Sequence, residues 1–318
     1  MKKKYVLIDC DPGHDDVMAV LSAVAHPDIF HILGITTVCG NNLLPLITEN
    51  MLNVLHYIHR EDIPVCMGAE SPLVYPPSPQ AAHGYNGLEG FDFPKHNLKT
   101  VNQDVISFMK EKILSSPEPV TIMALAPLTN IATLLQTEQT IINHIEQIVM
   151  MGGSWYRGNV IPNAEFNIYA DPHAAKEIFS GNVPTVIIPL ECCDDCTISE
   201  ETVQNWMCDK RYLTKMVGGI MDFFAIYGRQ HQRTRHTIFD LAVAEYLLQP
   251  EIFQGEHCDC DVILSGEDTR GQTVFKTNPN SKIFVLKHAE TNQFEQQIIS
   301  DINQLANEII QKKSYTSL

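Results

Sequence analysis

The chain has 318 residues, of which 44% are hydrophobic and 19% charged, and this is enough apolar material for a folded core. The 38 Asp and Glu residues outnumber the 22 Lys and Arg residues, which gives a formal net charge of -16 at pH 7. This charge repels phosphate backbones, so nucleic acid is excluded as the expected partner. No segment approaches the roughly 20 consecutive apolar residues that span a bilayer, and no membrane association is predicted.

The amino terminus and the cysteines both bear on the cellular compartment. A basic start at residues 2–4 precedes an apolar run over 5–8 that is too short for the core of a secretory signal. The nine cysteines are an odd number in a chain of this length, which favours reduced thiols over a disulfide framework. We therefore expect a cytoplasmic location.

Short apolar runs alternate with helical patterns through the first 190 residues. Continuous apolar runs predict strands over 5–8, 32–38, 64–67, 120–125, 147–151 and 185–190. Apolar residues at helical spacing predict helices over 17–24, 47–58, 101–114 and 128–135, and a further one that starts at Asp171-Pro172. This alternation indicates βαβ units, so we predict an α/β fold with a mostly parallel central sheet flanked by helices.

The last third of the chain has a different character. Residues 200–250 read as predominantly helical, 257–288 as short strands separated by turns, and 292–312 as a closing helix, so this portion is expected to be largely helical. Two long loops are predicted, over 70–97 and 152–170. Long loops at the carboxyl edge of a parallel sheet are where such folds place their sites.

Four carboxylates crowd the end of the first predicted strand. Asp9, Asp11, Asp15 and Asp16 surround a Pro12-Gly13 turn that leads into the first helix. Helix capping and the helix dipole account for Asp15 and Asp16, but not for the other two. Such close carboxylates repel one another unless protons or a cation offset the charge. Oxygen ligands without Cys or His suit a hard ion, Ca²⁺ or Mg²⁺, so a metal site is predicted.

The segment over 9–16, DCDPGHDD, resembles the aspartate-rich signature of the inosine-uridine preferring nucleoside hydrolases. Further segments are similar to this family in the same order: TTVCGN at 36–41, a glycine-rich segment at 83–90, APLTN at 126–130, MGG at 151–153, AEFN at 164–167 and ADP at 170–172. The agreement of several ordered motifs is far more specific than any single one. The resemblance implies a Rossmann-like nucleoside hydrolase fold and a single domain over 1–318.

The resemblance also implies a reaction, Ca²⁺-dependent hydrolysis of the N-glycosidic bond of ribonucleosides to ribose and free base. By position, Asp11, Asp16 and Asp240 would bind the metal with their side chains, and Leu125 with its backbone carbonyl. Asp11 would also act as the general base that activates a metal-bound water.

Other residues are implied in substrate binding. The residues that would bind the ribose hydroxyls are Asp15, Asn41, Asn159, Glu165 and Asn167, and Met151 would line the pocket. The implied partner is a small ribonucleoside, and the family tends to form homodimers or homotetramers.

One position departs from the family. Many members carry His directly before the last metal-binding Asp and use it to protonate the leaving base, whereas this chain has Phe239. His83, in the glycine-rich loop, and His236, in a basic run at 229–236, are the candidates to contact the base in its place. The competing interpretations are an inert loop histidine for His83 and a solvated basic helix end for His236.

Two other functions fit parts of the sequence. Asp9-x-Asp11 after a first strand also opens the HAD-like, Mg²⁺-dependent phosphatases, in which the first Asp is the nucleophile. The missing histidine suggests a non-catalytic, calcium-dependent nucleoside or ribose binder.

Cys192, Cys193 and Cys196 raise the possibility of a zinc site, but their spacing favours reduced thiols near the pocket wall. Base preference does not follow from the sequence.

Overall fold

The computed structural model describes residues 3–79 and 81–316. Its strands are β1 (Lys4–Cys10), β2 (Phe30–Thr37), β3 (Val65–Met67), β4 (Val120–Ala124), β5 (Ile145–Met151), β6 (Thr185–Ile188), β7 (Thr197–Ser199), β8 (Arg235–Thr237), β9 (Phe253–Val262), β10 (Thr273–Thr277) and β11 (Ile283–Ala289). Its helices are α1 (His14–Ala25), α2 (Leu44–Tyr57), α3 (Val105–Ser115), α4 (Thr129–Thr137), α5 (Phe166–Ala170), α6 (Pro172–Ser180), α7 (Leu190–Cys193), α8 (Glu200–Cys208), α9 (Tyr212–Gln230), α10 (Leu241–Leu248) and α11 (Thr291–Thr316). Three short 3-10 turns lie at Ala81–His83, Gln139–His144 and Pro250–Ile252.

Within these residues, nine strands form one sheet in the order β10-β9-β11-β6-β5-β4-β1-β2-β3. The strands from β11 to β3 pair in parallel, whereas β9 pairs antiparallel with both β11 and β10. The predicted mostly parallel sheet with flanking helices is therefore confirmed. The chain proceeds from β1 to β2 on one side and returns to β4 on the other, so the strand order reverses beside β1. Sheets of this kind bind ligands at the carboxyl edge of such a switch point.

Both faces of the sheet are covered by apolar layers. In β1, Val6 and Ile8 pack into one buried cluster and the intervening Leu7 packs into another on the opposite face. Because side chains alternate across a strand, a strand buried on both faces must be apolar at every position, as the run before Asp9 is. The carboxylates thus begin where the buried run ends, at the sheet's carboxyl edge.

The last third of the chain is largely helical, as predicted, and it also contains the short strands expected over 257–288. Helices α8 to α11 occupy most of it, but β9, β10 and β11 extend the central sheet, with β11 pairing alongside β6. The predicted start of α6 is confirmed, since Asp171 accepts a hydrogen bond from the Ala174 amide at 3.0 Å and Pro172 occupies the first helical position. Within the described chain, no helix combines the length and apolar character needed to cross a lipid bilayer.

A buried polar cluster joins the three helices behind the carboxyl edge. Asp301 of α11 accepts hydrogen bonds at 2.8 Å from the Ser22 hydroxyl of α1 and pairs with His26 at the same distance. Glu245 of α10 is fully buried and lies 3.5 Å from the Ser22 hydroxyl. Burial, together with the charge of Asp301, raises the pKa of Glu245 well above its usual value. Since α1 and α10 begin next to Asp11 and Asp240, this cluster helps to fix the two segments that carry them.

The substitution Asp301→Asn should destabilise the protein more at about pH 6 than at about pH 8.5. The hydrogen bond with Asp301 raises the pKa of His26, so this pair contributes fully below the ordinary histidine pKa and is lost as pH rises through the raised value. Ionisation of Glu245 at higher pH adds repulsion between Glu245 and Asp301. Removal of the Asp301 charge relieves this repulsion, so it too makes the loss of stability smaller at higher pH. At the lower pH we expect a loss of about 1–3 kcal/mol in the free energy of unfolding, measured with urea.

The matched control is Asp268→Asn, which removes the same charge from an exposed turn and should leave the free energy of unfolding nearly unchanged. An equal loss for Asp301→Asn at both pH values would show that the pair carries no pH-dependent stability.

Candidate active site

A cavity of about 660 Å³ opens at the carboxyl edge of the sheet, beside the switch point at β1 and β4. The structure brings ten of the twelve predicted site residues to its walls, and Asp16 and His236 are the two that do not line it. The ten are Asp11, Asp15, Asn41, His83, Leu125, Met151, Asn159, Glu165, Asn167 and Asp240. They come from loops far apart in sequence that follow neighbouring strands, which is how a parallel sheet assembles a site.

The turn between β1 and α1 is held by its own carboxylates. Asp16 accepts hydrogen bonds from the backbone amides of Asp11 at 3.1 Å and Gly13 at 3.0 Å, so its carboxylate holds the two ends of the turn together. Asp11 in turn accepts a hydrogen bond from the Asn41 amide at 2.6 Å, while the Asn41 side chain donates to the Asp11 carbonyl at 3.1 Å. Gly40 is required here, because a Cβ atom at this position would overlap the Asp11 carboxylate.

Four acids at the cavity floor or directly beneath it are removed from water. Asp11, Asp15, Asp16 and Asp240 each expose no more than 5% of their surface, and oxygen atoms of the last three lie within 4.8 Å of one another. Burial, reinforced by the charge of Asp15, raises the pKa of Asp16 to about 8. Burial and the charges of the neighbouring acids also raise the pKa of Asp11 and of Asp240 well above the usual range.

These acids fit a hard divalent cation. Among the residues that the structure describes, the buried Oδ1 atoms of Asp15 and Asp240 have no hydrogen-bond partner. Every donor is an oxygen atom, which suits Ca²⁺ or Mg²⁺ rather than a thiolate- or imidazole-binding metal. A cation would stabilise the ionised carboxylates that burial disfavours. The three closest carboxylates are Asp15, Asp16 and Asp240, whereas the predicted ligand set has Asp11 in place of Asp15.

Another part of the cavity wall is built around the start of α5. The Glu165 side chain caps this helix and accepts hydrogen bonds from the amides of Asn167 at 2.8 Å and Gly153 at 3.0 Å. Burial raises the pKa of Glu165 to about 7 in spite of these bonds. The Asn167 side chain donates to the carbonyls of Leu125 and Met151, both at 3.1 Å, and so ties α5 to the ends of β4 and β5. The cap therefore fixes two predicted sugar ligands at once.

Asn159 lies in the long loop that precedes α5. Its side-chain oxygen accepts a hydrogen bond from the Phe166 amide at 2.9 Å, which leaves the side-chain NH₂ as its further donor. The loop is anchored by Glu191, which accepts from the amides of Trp155 at 2.8 Å and Tyr156 at 3.3 Å. The acidic segment around the cysteines thus positions a loop of the cavity.

The clustered cysteines are not arranged as a metal site. Cys192, Cys193 and Cys196 are free thiols with no exposed surface, and they pack into the apolar core. In the part of the chain that the structure covers, the acids of the cavity floor are the one group of side chains close enough to hold a metal ion. The interpretation as buried reduced thiols is therefore preferred over zinc.

His83 lies in the cavity wall but is engaged with a second histidine. Its Nδ1 atom is 3.0 Å from Nδ1 of His14, whose Nε2 atom lies 2.8 Å from the Glu89 carbonyl. Burial lowers the pKa of His83 to about 4, and burial together with the charge of His83 lowers that of His14 to about 3. Both rings are neutral near pH 7, so neither is present as an imidazolium acid.

His236 lines a neighbouring cavity instead. Its ring is 5% exposed, and its Nε2 atom lies 2.7 Å from the Glu200 carboxylate, which Arg229 binds on its other side. Gly228 leaves room for the ring, since a Cβ atom there would lie 2.5 Å from Nδ1. The role of His236 as a base contact stays a prediction.

Phe224 and Phe239 both line the cavity, but the sequence singles out only Phe239 as a possible site residue. Phe239 stands out as a departure from the family pattern, whereas Phe224 does not, because an apolar residue at helical spacing in α9 is typical of a core position. The sequence offers no signal that would separate Phe224 from its neighbours.

Asp9 is placed away from the cavity. Its carboxylate accepts hydrogen bonds from the Thr36 hydroxyl at 2.6 Å and the Asn130 side chain at 2.8 Å, and 1% of the residue is exposed. Burial raises the pKa of Asp9 to about 7. A buried carboxylate that does not line the cavity is poorly placed to be the phosphorylated nucleophile of a HAD-like enzyme, so the geometry argues against that alternative.

A mostly parallel sheet with buried carboxylates and carboxamides at its switch point is the arrangement of a nucleoside hydrolase. The profile of the inosine-uridine preferring nucleoside hydrolases matches residues 6–304. The chain belongs to this family and is a ribonucleoside hydrolase.

Individual relatives agree with this assignment. The chain is 35% identical over 272 residues to a pyrimidine-specific ribonucleoside hydrolase, RihA, of Shewanella oneidensis, and the aligned segment covers 85% of each chain. It is 36% identical over 270 residues to a non-specific ribonucleoside hydrolase, RihC, of Escherichia fergusonii, covering 85% of this chain and 87% of the relative. Among solved structures, a plant nucleoside hydrolase, PpNRh1, superposes with a TM-score of 0.87 at 26% identity, covering 94% of this chain and 98% of the other.

Calcium should bind to the purified protein, and Asp240→Asn should weaken this binding at least about tenfold, because it removes a charged ligand from a buried cluster. Isothermal titration of the metal-free protein measures the affinity, and thermal unfolding with and without Ca²⁺ gives an independent reading. Asp268→Asn, which removes an exposed carboxylate, should bind like the wild type. Absence of binding, or equal affinities for Asp240→Asn and the wild type, would contradict a cation site at the cavity floor.

Proposed function

We propose that this protein catalyses the Ca²⁺-dependent hydrolysis of the N-glycosidic bond of ribonucleosides and releases ribose and the free base. The observation that carries the proposal is the cavity floor, where buried carboxylates with two unpartnered oxygen atoms adjoin Asn41, Glu165 and Asn167. A ribose ring presents several hydroxyls at close spacing, and such a floor offers both acceptors and donors to match them.

The cation would be held by Asp11, Asp16, Asp240 and the Leu125 carbonyl. When bound, Ca²⁺ lowers the pKa of water and helps to orient the ribose hydroxyls. Its charge would also keep Asp11 ionised, which a general base must be, although burial alone disfavours this form.

Asp11 would act as the general base. Its carboxylate is fixed by the Asn41 amide at 2.6 Å, so it is held in one orientation toward the cavity. It would accept a proton from the water that attacks C1′ of the ribose while the bond from C1′ to the base breaks. The transition state carries positive charge on the sugar ring, and the surrounding carboxylates stabilise that charge.

The side chains around the floor would orient the sugar. Asp15, Asn41, Asn159, Glu165 and Asn167 provide acceptors and donors to the hydroxyls, and Met151 provides an apolar contact beneath the ring. The Glu165 cap and the Asn167 bonds to two carbonyls restrict these side chains before substrate arrives, which lowers the entropy lost on binding.

We expect the 318 residues to act as one catalytic domain, to assemble as a homodimer or homotetramer, and to work in the cytoplasm in nucleoside salvage. The relatives named above include pyrimidine-specific and non-specific enzymes, so both pyrimidine and purine nucleosides belong in the substrate test. His83 and His236 are the histidines proposed to contact the base.

The test is release of reducing sugar from uridine, cytidine, inosine, adenosine and guanosine, with and without a calcium chelator. Asp11→Asn should lower kcat by about 10²–10⁴-fold, the range for loss of a general base, with a smaller effect on nucleoside affinity. Asp268→Asn makes the same chemical change on the exposed surface and should retain full activity.

The outcomes separate the competing functions. Nucleoside binding without sugar release by the wild type would favour a non-catalytic binder. Phosphate release from phosphate esters without sugar release would favour a phosphatase. Activity of Asp11→Asn equal to the wild type would remove Asp11 as the base.

A further inference from the structure

A second cavity adjoins the first on the side of α9. It has a volume of about 950 Å³ and shares Ala82, Asn159, Phe224 and Phe239 with the first cavity, so the two are continuous. We call it the base-side cavity, because a base joined to ribose over the carboxylates must extend past these shared residues. Tyr227 adds a third aromatic ring to its wall. Aromatic walls suit a flat heterocyclic base.

Among the described residues at the junction of the two cavities, Phe239, His236 and His83 do not offer a free acid to the leaving base. Phe239 has no proton to donate, and the His236 Nε2 atom is held by Glu200 at 2.7 Å. His83 lies 3.0 Å from His14, and its ring is neutral near pH 7. A base that departs from such a site takes both electrons of the broken bond and leaves as an anion.

Among the residues that the structure describes, Arg233 is a cation of the base-side cavity that has no carboxylate partner and could bind that anion. Arg235, which lines this cavity, forms an ion pair with Glu295, and Arg229, outside the lining, pairs with Glu200 and Asp222, so both charges are already neutralised. Arg233 also lines the cavity, and within the described ranges no carboxylate forms an ion pair with it. Its guanidinium lies over the Tyr227 ring at 5.9 Å.

The position of Arg233 is fixed by how α9 ends. The Arg233 amide donates to the Gly228 carbonyl at 2.9 Å, and the Gln232 amide donates to the Arg229 carbonyl at 3.0 Å. These two bonds form a Schellman motif, which needs a left-handed residue after the helix, and Gln232 adopts φ of 56° there. Gln232 accepts backbone strain that glycine would avoid, and the result is a fixed backbone from which Arg233 reaches the cavity.

We propose that Arg233 binds the departing base and stabilises its negative charge, and that it favours bases of the uracil type. This inference rests on the proposed function. Water forms the new bond to C1′ and its proton passes to Asp11, while the electrons of the C1′–N1 bond move onto the base. In uracil this charge spreads onto the two carbonyl oxygens, which a guanidinium can bind. The base anion then takes a proton from solvent, and ribose and neutral base result.

The test compares leaving groups of different basicity. Arg233→Gln should lower kcat/KM for uridine roughly 10- to 100-fold, the range for a hydrogen bond to a charged group. The loss should shrink for 5-fluorouridine, whose base is a better leaving group, and be smallest for p-nitrophenyl riboside, whose phenolate is stable in water. Arg233→Lys keeps the charge and should restore most of the uridine activity.

The matched control is Arg60→Gln, which removes the same charge from a surface ion pair with Asp62 before β3, at the opposite edge of the sheet. It should retain wild-type activity on all three substrates. An equal loss for Arg233→Gln on the three substrates, or no loss on uridine, would overturn the role of Arg233 while leaving the hydrolase intact. A wild type that releases no sugar from any nucleoside would instead contradict the proposed function itself.

Discussion

The burial of several carboxylates at one strand end is the constraint on which the rest of this structure depends. Asp11, Asp15, Asp16 and Asp240 lie at the cavity floor or directly beneath it, with little access to water, so desolvation opposes the ionised form of each. Repulsion from neighbouring acids adds to this at Asp11, Asp16 and Asp240. Backbone amides donate hydrogen bonds to the carboxylates of Asp16 and Asp11. Within the residues described, one carboxylate oxygen of Asp15 and one of Asp240 have no hydrogen-bond partner. A divalent cation bound there would resolve this conflict, and a sugar placed over it would meet both charge and hydrogen-bond partners.

The surroundings of the floor serve to hold it. The loop after β2 fixes Asp11 through Asn41, and the start of α5 places Glu165 and Asn167 on the facing wall. Behind the sheet edge, the buried contacts of Asp301 join α11 to α1 and so steady the helix that begins beside Asp11. Rigid placement of this kind lets polar groups stabilise developing charge without reorganising. The base-side cavity differs in character, since its wall contains the aromatic rings of Phe224, Tyr227 and Phe239 and the exposed side chain of Arg233.

The alternation of apolar runs was sufficient to predict the parallel sheet, because a strand covered on both faces must be apolar throughout. The crowding of four carboxylates over 9–16 indicates a cation site by chemistry alone. The choice of Asp11 and Asp16 as ligands, and the addition of distant Asp240, depend on the resemblance and not on any local pattern. Helix α5 was missed because five residues are too few to show a helical period. Phe224 and Arg233 were not distinguishable in sequence, since one looks like a core residue and the other like an ordinary surface charge.

The measurement that tests the central claim most directly is the calcium affinity of the wild-type protein in the presence and absence of ribose. If the cation sits at the carboxylate floor beneath the sugar, the two ligands share contacts, and by linkage each must tighten the other. The account predicts that saturating ribose raises the calcium affinity several-fold and that 2-deoxyribose, which lacks one of the hydroxyls, has a weaker effect. A calcium affinity that is the same with ribose, with 2-deoxyribose and without sugar would contradict it.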